Sequence, residues 1–389
     1  MKIIYLHQYF KTNVDNGGTR SYELARKMVE NGHEVYMITG EKVKVNNIDG
    51  IKILSTYTKY SNKMGKLSRI KAFLNYAIKS MLIGRKIKNI DLVYATSTPL
   101  TVGIPAIILK KIKRCKMIFE VRDVWPDIPI ELGYIRNKLL IKSLKFFENK
   151  IYKESNKIIV LSDGMKKNLL DKSIEENKVE VITNIANLDL YKVKEENIIE
   201  KKYGLIDKFI CIHPGTMGVV NGLEFILEVA YETKDKDIYY LLIGEGKHKK
   251  ELKEEVKKRN LKNVLIEDAL PKAEVVNVIK DSQVGIMCVA NYKILEDNSA
   301  NKFFDFLAAG LPIFINYKGW QAKELNKYKA GESFTFYESK KMAESIENLK
   351  NDKEKYKILR KNSSKLANQY SLDEAWNKLS KILIEVGEK

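Results

Sequence analysis

Cysteine is scarce in this chain: three residues in 389, Cys115, Cys211 and Cys288, far apart and in or beside apolar strand-like runs. That spacing argues against a disulfide framework and against a clustered thiol metal site, and leaves buried thiols. Long apolar runs are missing too, since none approaches the roughly 20 residues that a membrane-spanning helix needs. The opening Met1-Lys-Ile-Ile-Tyr-Leu-His7 has too short an apolar core for a signal peptide and reads as a first strand, so a cytosolic protein is expected. Acids nearly vanish between Gly50 and Phe119, where 15 basic residues accompany a single acid, Asp91. Short-period repeats and low-complexity blocks are also lacking.

What remains is the composition of a soluble enzyme, 44% hydrophobic and 31% charged. The length suggests roughly two to three domains, and two of about 190 residues fit best. The net charge of +19 is uneven: residues 1–190 hold 34 Lys/Arg against 19 Asp/Glu, while the rest hold 35 against 31. A one-sided field of this kind attracts a polyanion.

Short β-like runs at Ile3–Leu6, Glu34–Ile38, Leu92–Ala95, Met117–Val121 and Ile158–Leu161 alternate with helical patterns, beginning with Arg20–Asn31. The second half repeats this grammar with strands at Phe209–His213, Ile238–Ile243, Val264–Glu267, Val284–Val289 and Pro312–Ile315, and helices near Leu223–Thr233 and Lys249–Arg259. Each half therefore predicts an α/β fold with a doubly wound parallel sheet. Val181-Ile-Thr-Asn184-Ile-Ala-Asn-Leu-Asp189 leads into a polar, strand-poor segment, to about Lys202, that reads as the linker. Ser371-Leu-Asp-Glu374 is a capping box opening a last helix through Trp376, Leu379 and Leu383.

The most telling motif is Asp297-Asn-Ser-Ala-Asn301-Lys302-Phe-Phe-Asp305-Phe-Leu-Ala-Ala-Gly310-Leu-Pro312, two acids with seven residues between them. Asp305 lies on a short helix stopped by Gly310, Asp297 on the loop before it, and Lys302 adds a cation, a set suited to a ligand with hydroxyls and phosphates. This resembles the acid, seven residues, acid motif of the family 4 retaining glycosyltransferases of the GT-B fold, with Asp where most members carry Glu. The nearest likeness is to the bacterial surface-polysaccharide branch, similar to N-acetyl-deoxyhexosamine transferases. The resemblance implies two Rossmann-like domains facing across a cleft: 1–188 toward acceptor and membrane, 189–369 for the nucleotide-sugar donor, and a helix 370–389 crossing back to the first.

Several loops then acquire expected roles. Gly17-Gly18-Thr19-Arg20 follows the first strand, and its glycines let backbone amides approach a phosphate; the ordinary reading is a turn. His33 is read as a structural turn residue. Gly215-Thr216-Met217-Gly218, with Asn221, follows the first strand of the second half, where amides and a helix dipole would face a diphosphate. Many members carry Arg and Lys in this loop; here Met217 or Gly218 and Asn221 stand instead, so phosphate charge is assigned to Lys302. The resemblance puts Gly244 and Gly246 near the nucleoside, Ala269 and Leu270 near the base, Asp305 on the ribose hydroxyls and Asp297 on the transferred sugar, beside Asn301. Asp297 as a surface acid and Asp305 as a helix-face acid are the ordinary readings.

On the acceptor side Arg122-Asp123-Val-Trp125-Pro126 lies beyond a strand end, and Arg122 or Asp123 is expected to bind the acceptor, unless the two form a structural ion pair. His7 reaches the same region or is a core histidine. Apolar stripes at Leu67, Ile70, Leu74, Ala77/Ile78 and Met81, and at Leu140, Leu144, Phe147 and Ile151, read most economically as faces packed on a sheet. The cations around them suit an anionic membrane surface. The expected activity is metal-independent transfer from a UDP-sugar, a co-substrate rather than a cofactor, to a lipid-diphosphate-linked saccharide at the inner membrane face. Asp235-Lys-Asp237 precedes a strand and reads as surface charge. A sugar-nucleotide epimerase of the same architecture is the alternative; a nucleic-acid partner is disfavoured because no stacking platform or recognised module accompanies the charge.

Overall fold

The computed structural model describes residues 1–15, 17–43, 45–60, 64–192 and 197–388; Asn16 and residues 193–196 of the expected linker lie outside the described residues. The chain forms two compact units, one of residues 1–12, 19–183 and 375–389, the other of 13–18 and 184–374. The divisions fall at 183/184 and 374/375, against the expected 188/189 and 369/370, and the glycine segment 13–18 belongs with the second unit.

The first unit runs β1 (Lys2–Leu6), α1 (Arg20–Glu30), β2 (Glu34–Thr39), β3 (Asn47–Ile48), β4 (Ile51–Ser55), α2 (Lys66–Lys86), β5 (Leu92–Thr96), α3 (Gly103–Lys113), β6 (Lys116–Val121), α4 (Asp127–Glu131), α5 (Lys138–Glu154), β7 (Lys157–Val160), α6 (Asp163–Asp171) and β8 (Val179–Val181). Its sheet has the order β3-β4-β2-β1-β5-β6-β7-β8, parallel except for the β3–β4 pair. Strand order reverses between β1 and β5, which pair Leu6 with Ala95. The central strands are apolar on both faces because helices cover both, so Ile3, Ile4, Tyr5 and Leu6 are all fully buried.

The second unit runs α7 (Ile198–Tyr203), β9 (Phe209–Pro214), α8 (Glu224–Glu232), β10 (Ile238–Ile243), α9 (Lys249–Lys258), β11 (Val264–Glu267), α10 (Lys272–Asp281), β12 (Val284–Met287), α11 (Asn301–Ala308), β13 (Ile313–Ile315), α12 (Trp320–Tyr328), β14 (Gly331–Ser333), α13 (Ser339–Asn351) and α14 (Lys353–Ala367). Its six strands are parallel in the order β11-β10-β9-β12-β13-β14, reversing between β9 and β12. A last helix, α15 (Leu372–Glu388), begins where Ser371 Oγ accepts from the Glu374 amide at 3.2 Å, the cap its sequence signals. From Ala375 onward it belongs with the first unit, where Lys157 pairs with Glu385 at 2.7 Å.

The stripe expected to pack inward on α2 does the reverse. Leu67, Ile70, Leu74 and Ile78 are 84%, 53%, 45% and 56% exposed. The inward face is made of Ala72, Ala77 and Ser80 with the fully buried Tyr76, and Gly84 leaves no room for a Cβ beside Leu109 of α3. On α5 only Ile151 of the expected stripe is fully buried; Leu140 is 48% exposed.

Candidate active site

In parallel sheets ligands gather beyond the carboxyl ends of the strands, at the point where strand order reverses. In the second unit that point is β9/β12, and His213 near the end of β9 spans it. Its Nδ1 lies 2.9 Å from the Ile286 carbonyl of β12 and its Nε2 lies 2.9 Å from the Lys302 ammonium. A carbonyl only accepts, so Nδ1 carries the proton and Nε2 offers its lone pair to Lys302. Burial and the neighbouring Lys302 charge hold His213 well below the usual imidazole range, which keeps it neutral. Burial likewise lowers Lys302 to about 8. Among the described residues no carboxylate forms an ion pair with Lys302.

Lys302 comes from the first turn of α11, a helix anchored by the fully buried Phe303, Phe304, Phe306 and Leu307. Each such side chain contributes roughly 1.5–3 kcal/mol of burial. Phe306 presses on Gly285 of β12, where a Cβ would meet the ring at 2.4 Å. The helix ends as expected: Gly310 has φ +66, and the amides of Gly310 and Leu311 bond the carbonyls of Leu307 and Phe306 at 2.9 Å.

Two glycine loops close around this turn. Gly215, at φ +137, lies over Lys302, and a Cβ there would sit 3.1 Å from the ammonium. Gly18 packs on Asn301, whose Nδ2 would be 2.3 Å from a Cβ. Gly17 is exposed at φ +119, so the N-terminal glycine pair and the acid motif are brought together within one unit. Thr216 is exposed, Asn221 half-buried, and a 3-10 turn, Val219–Asn221, separates the loop from α8. Gly244 and Gly246 have a packing reason: their loop runs against Gly215–Met217 backbone to backbone, with Met217 N donating to Glu245 O at 2.9 Å, and Cβ atoms there would lie 1.8 Å from Gly215 O and 2.0 Å from Met217 O.

Asp297 closes a 3-10 turn, Lys293–Asp297, and is half-buried. The stretch after it is held by Trp320 Nε1 donating to Asn298 O at 2.8 Å and by Asn184 Nδ2 donating to Ser299 O. Asp305 receives Lys272 Nζ at 2.5 Å, a pair whose side chains are 14% and 10% exposed. Lys272 starts α10, just past the half-buried Ala269 and Leu270, so the pair ties that loop to α11. Tyr191 stands beside Asp305, and burial reinforced by that carboxylate holds its phenol well above the ordinary value. Lys272 and His213 carried no sequence signal of a role; their partners are 33 and 89 residues away.

In the first unit the expected donor role of Arg20 is corrected. Its side chain is 1% exposed, with Nε and Nη2 3.2 Å from Glu120 Oε2, Nη2 3.0 Å from Ile182 O, and Nη1 bonded to Thr183 O. Burial opposes the charge on Glu120, but Arg20 and Arg122 outweigh it and keep the carboxyl below its ordinary value. Arg20 is a strut between α1, β6 and the exit from β8, with four of its five N–H donors taken up there. Arg122 and Asp123 do not pair with each other: the Arg122 amide donates to Ser97 Oγ at 2.9 Å, and exposed Asp123 accepts from Thr98 Oγ1 at 3.1 Å. His7, at the β1/β5 reversal, is 4% exposed with no partner for Nδ1 among the described residues, and burial together with Arg122 depresses its pKa. Neighbouring Gln8 is 1% exposed, and neither of its amide atoms has a partner among the described residues. Asp237 is salt-bridged to Lys208 at 2.7 Å at the amino end of β10, away from the strand ends that carry the site. Cys211 and Cys288 are buried and Cys115 half-buried, all free.

Residues 17–190 match the family described as Glycosyltransferase Family 4, and residues 195–366 match Glycosyl transferases group 1. No curated protein matches the chain. Among solved structures, HepE from Anabaena in complex with UDP-glucose is similar with a TM-score of 0.76, over 99% of this chain and 100% of that one, at 15% identity. Sucrose-phosphate synthase from Thermosynechococcus elongatus gives 0.78 over 99% and 98% at 12% identity. WaaG, a glycosyltransferase involved in lipopolysaccharide biosynthesis, gives 0.71 over 98% and 99% at 12% identity. With both halves matched and both sheets doubly wound, the chain belongs to the family 4 glycosyltransferases of the GT-B fold.

Proposed function

We propose that this enzyme transfers a sugar from a UDP-sugar, with retention of configuration and without a metal, to a lipid-diphosphate-linked saccharide in surface-polysaccharide assembly such as O-antigen or capsule. The observation that carries the reading is the Lys302 ammonium, held on neutral His213 beneath the Gly215 loop and paired with no carboxylate among the described residues. A departing diphosphate supplies the missing anion. In the reaction the bond from the anomeric carbon to the diphosphate oxygen breaks, the acceptor oxygen bonds that carbon from the same face, and the acceptor hydroxyl's proton passes to the departing diphosphate. Lys302 and the loop amides stabilise the charge that develops on the leaving group. Asp297 contacts the transferred sugar; Asp305, oriented by Lys272, accepts the ribose hydroxyls. Arg122 and Asp123 receive the acceptor. The enzyme works in the cytoplasm, peripherally on the inner membrane face. HepE, of like fold, is known with UDP-glucose, and the branch resemblance suggests an N-acetylated deoxyhexosamine such as N-acetylfucosamine.

A panel of nucleotide sugars tested for thermal stabilisation checks the reading, because a ligand bound only by the folded state raises its melting temperature. UDP and one UDP-sugar should stabilise the wild type, and Lys302→Ala should lose most of that gain. Indifference to every uridine nucleotide, or full turnover by Lys302→Ala, would sink it. Conversion of a UDP-sugar without any acceptor would favour the epimerase instead.

A further inference from the structure

The outward face of α2 carries an apolar stripe from Leu67 to Leu82. Leu67, Ile70, Leu74, Ile78 and Leu82 are spaced by three or four residues, and each is 45% exposed or more. At 100° and 1.5 Å per residue they share one stripe about 22 Å long. Lys71 and Arg85 lie in the same stripe and are exposed, and α2 as a whole carries six basic residues and no acid. Lys113 of α3 caps its carboxyl end, donating to Arg85 O at 2.7 Å.

The stripe is not isolated. α3 packs between α2 and α5, and it adds exposed Ile112, while α5 adds Leu139 at 78%, Leu140 at 48% and Phe146 at 71%. Beside Phe146 an open groove of about 840 Å³ is lined by Lys142, Lys145, Lys150 and Lys153. The exposed α5 face offers one acid, Glu154, already paired with Lys111 at 3.1 Å. A second copy of this chain is a poor occupant, since pairing the face with itself opposes two cationic surfaces. Among the described residues no helix is long and apolar enough to cross a membrane. An apolar stripe flanked by cations and lacking acids fits the headgroup layer of an anionic bilayer, with the helix lying in its plane.

We propose that α2, supported by the outer side chains of α3 and α5, is the element that seats this enzyme on anionic lipid, its five apolar side chains entering the interface and Lys71 and Arg85 meeting headgroup phosphates. The inference rests on the membrane-linked acceptor proposed above and gives it a place in the fold. Flotation of the full-length protein with phosphatidylglycerol-containing vesicles and with pure phosphatidylcholine vesicles tests it. The wild type should float with the anionic vesicles only, and partly dissociate in high salt.

Leu74→Glu/Ile78→Glu should lower the partition coefficient at least about tenfold, and Lys71→Glu or Arg85→Glu about fivefold each. All these positions are exposed, so melting temperature and uridine nucleotide binding should stay as in the wild type. In Leu74→Trp, the added indole should shift its emission to the blue on anionic vesicles. A wild type that floats with no vesicle would defeat the membrane part of the functional reading itself. A wild type that floats while the double glutamate variant floats equally would overturn the role of α2 and leave that reading standing. Sedimentation showing a dimer that the double variant dissociates would likewise overturn it.

Discussion

Arg20 in the first unit and Lys302 in the second are both buried or half-buried cations in the first turn of a helix, and they have opposite surroundings. Arg20 meets a buried carboxylate, Glu120, and the Ile182 and Thr183 carbonyls. Lys302 meets the lone pair of a neutral imidazole and, among the described residues, no carboxylate. A buried charge without a counter-ion is costly, so a fold keeps one where a ligand supplies the opposite charge. The compensated cation therefore serves the fold, and the uncompensated one is the cation proposed above to meet a ligand's charge.

Arg20→Ala should break this comparison from the structural side, with the largest effect. It removes the salt-bridge partner of buried Glu120, for a loss of about 3–5 kcal/mol in denaturant unfolding. A loss below about 1 kcal/mol would show that the pair was not holding the fold. Lys302→Ala should do the converse. The rate should fall by about 10²–10³ in kcat/KM, the usual effect of removing one donor from developing charge. The melting temperature should stay near that of the wild type because a desolvation penalty is relieved. A strongly destabilised Lys302→Ala with ordinary turnover would erase the distinction between the two cations.

How far the contrast was visible in the sequence follows from range. The strands, the Gly310 stop and the Ser371 cap are local signals and appear where their residues imply. The acid motif and the glycine loops were legible as motifs, but not the reason for Gly244 and Gly246, which is the close approach of two backbones. Arg20 looked ligand-facing because it follows a glycine pair, and its partner Glu120 is 100 residues away. The α2 stripe was legible as a period, but a period does not say which face turns inward. Ala72 and Ala77 turn inward where α2 approaches α3 at Gly84, together with Tyr76, whose buried hydroxyl donates to Ile38 O at 2.7 Å.

His213→Leu sharpens the comparison with a smaller effect. Without the Nε2 acceptor the ammonium loses its fixed position, and kcat/KM should fall about tenfold, in the range of a positioning hydrogen bond. Its distinguishing readout is the alkaline limb of the pH–rate profile, which should move with the altered Lys302 environment. A plain packing defect would lower stability and leave that limb in place.

The smallest effect is the pH response of the wild type, and its sign differs between activity and stability. Burial holds Lys302 near 8 in the folded chain, against 10.5 for an ordinary lysine. Below pH 8 the amine is protonated in both states. Between 8 and 10.5 the unfolded chain binds more protons than the folded one, so this residue's contribution to stability rises with pH across that window. Activity that depends on the ammonium should fall across the same window. Initial rates and denaturant midpoints measured at matched pH on wild type and Lys302→Ala isolate the residue: the wild type should lose rate and gain stability relative to the variant between those values. Parallel falls of rate and stability would place the charge requirement on another group.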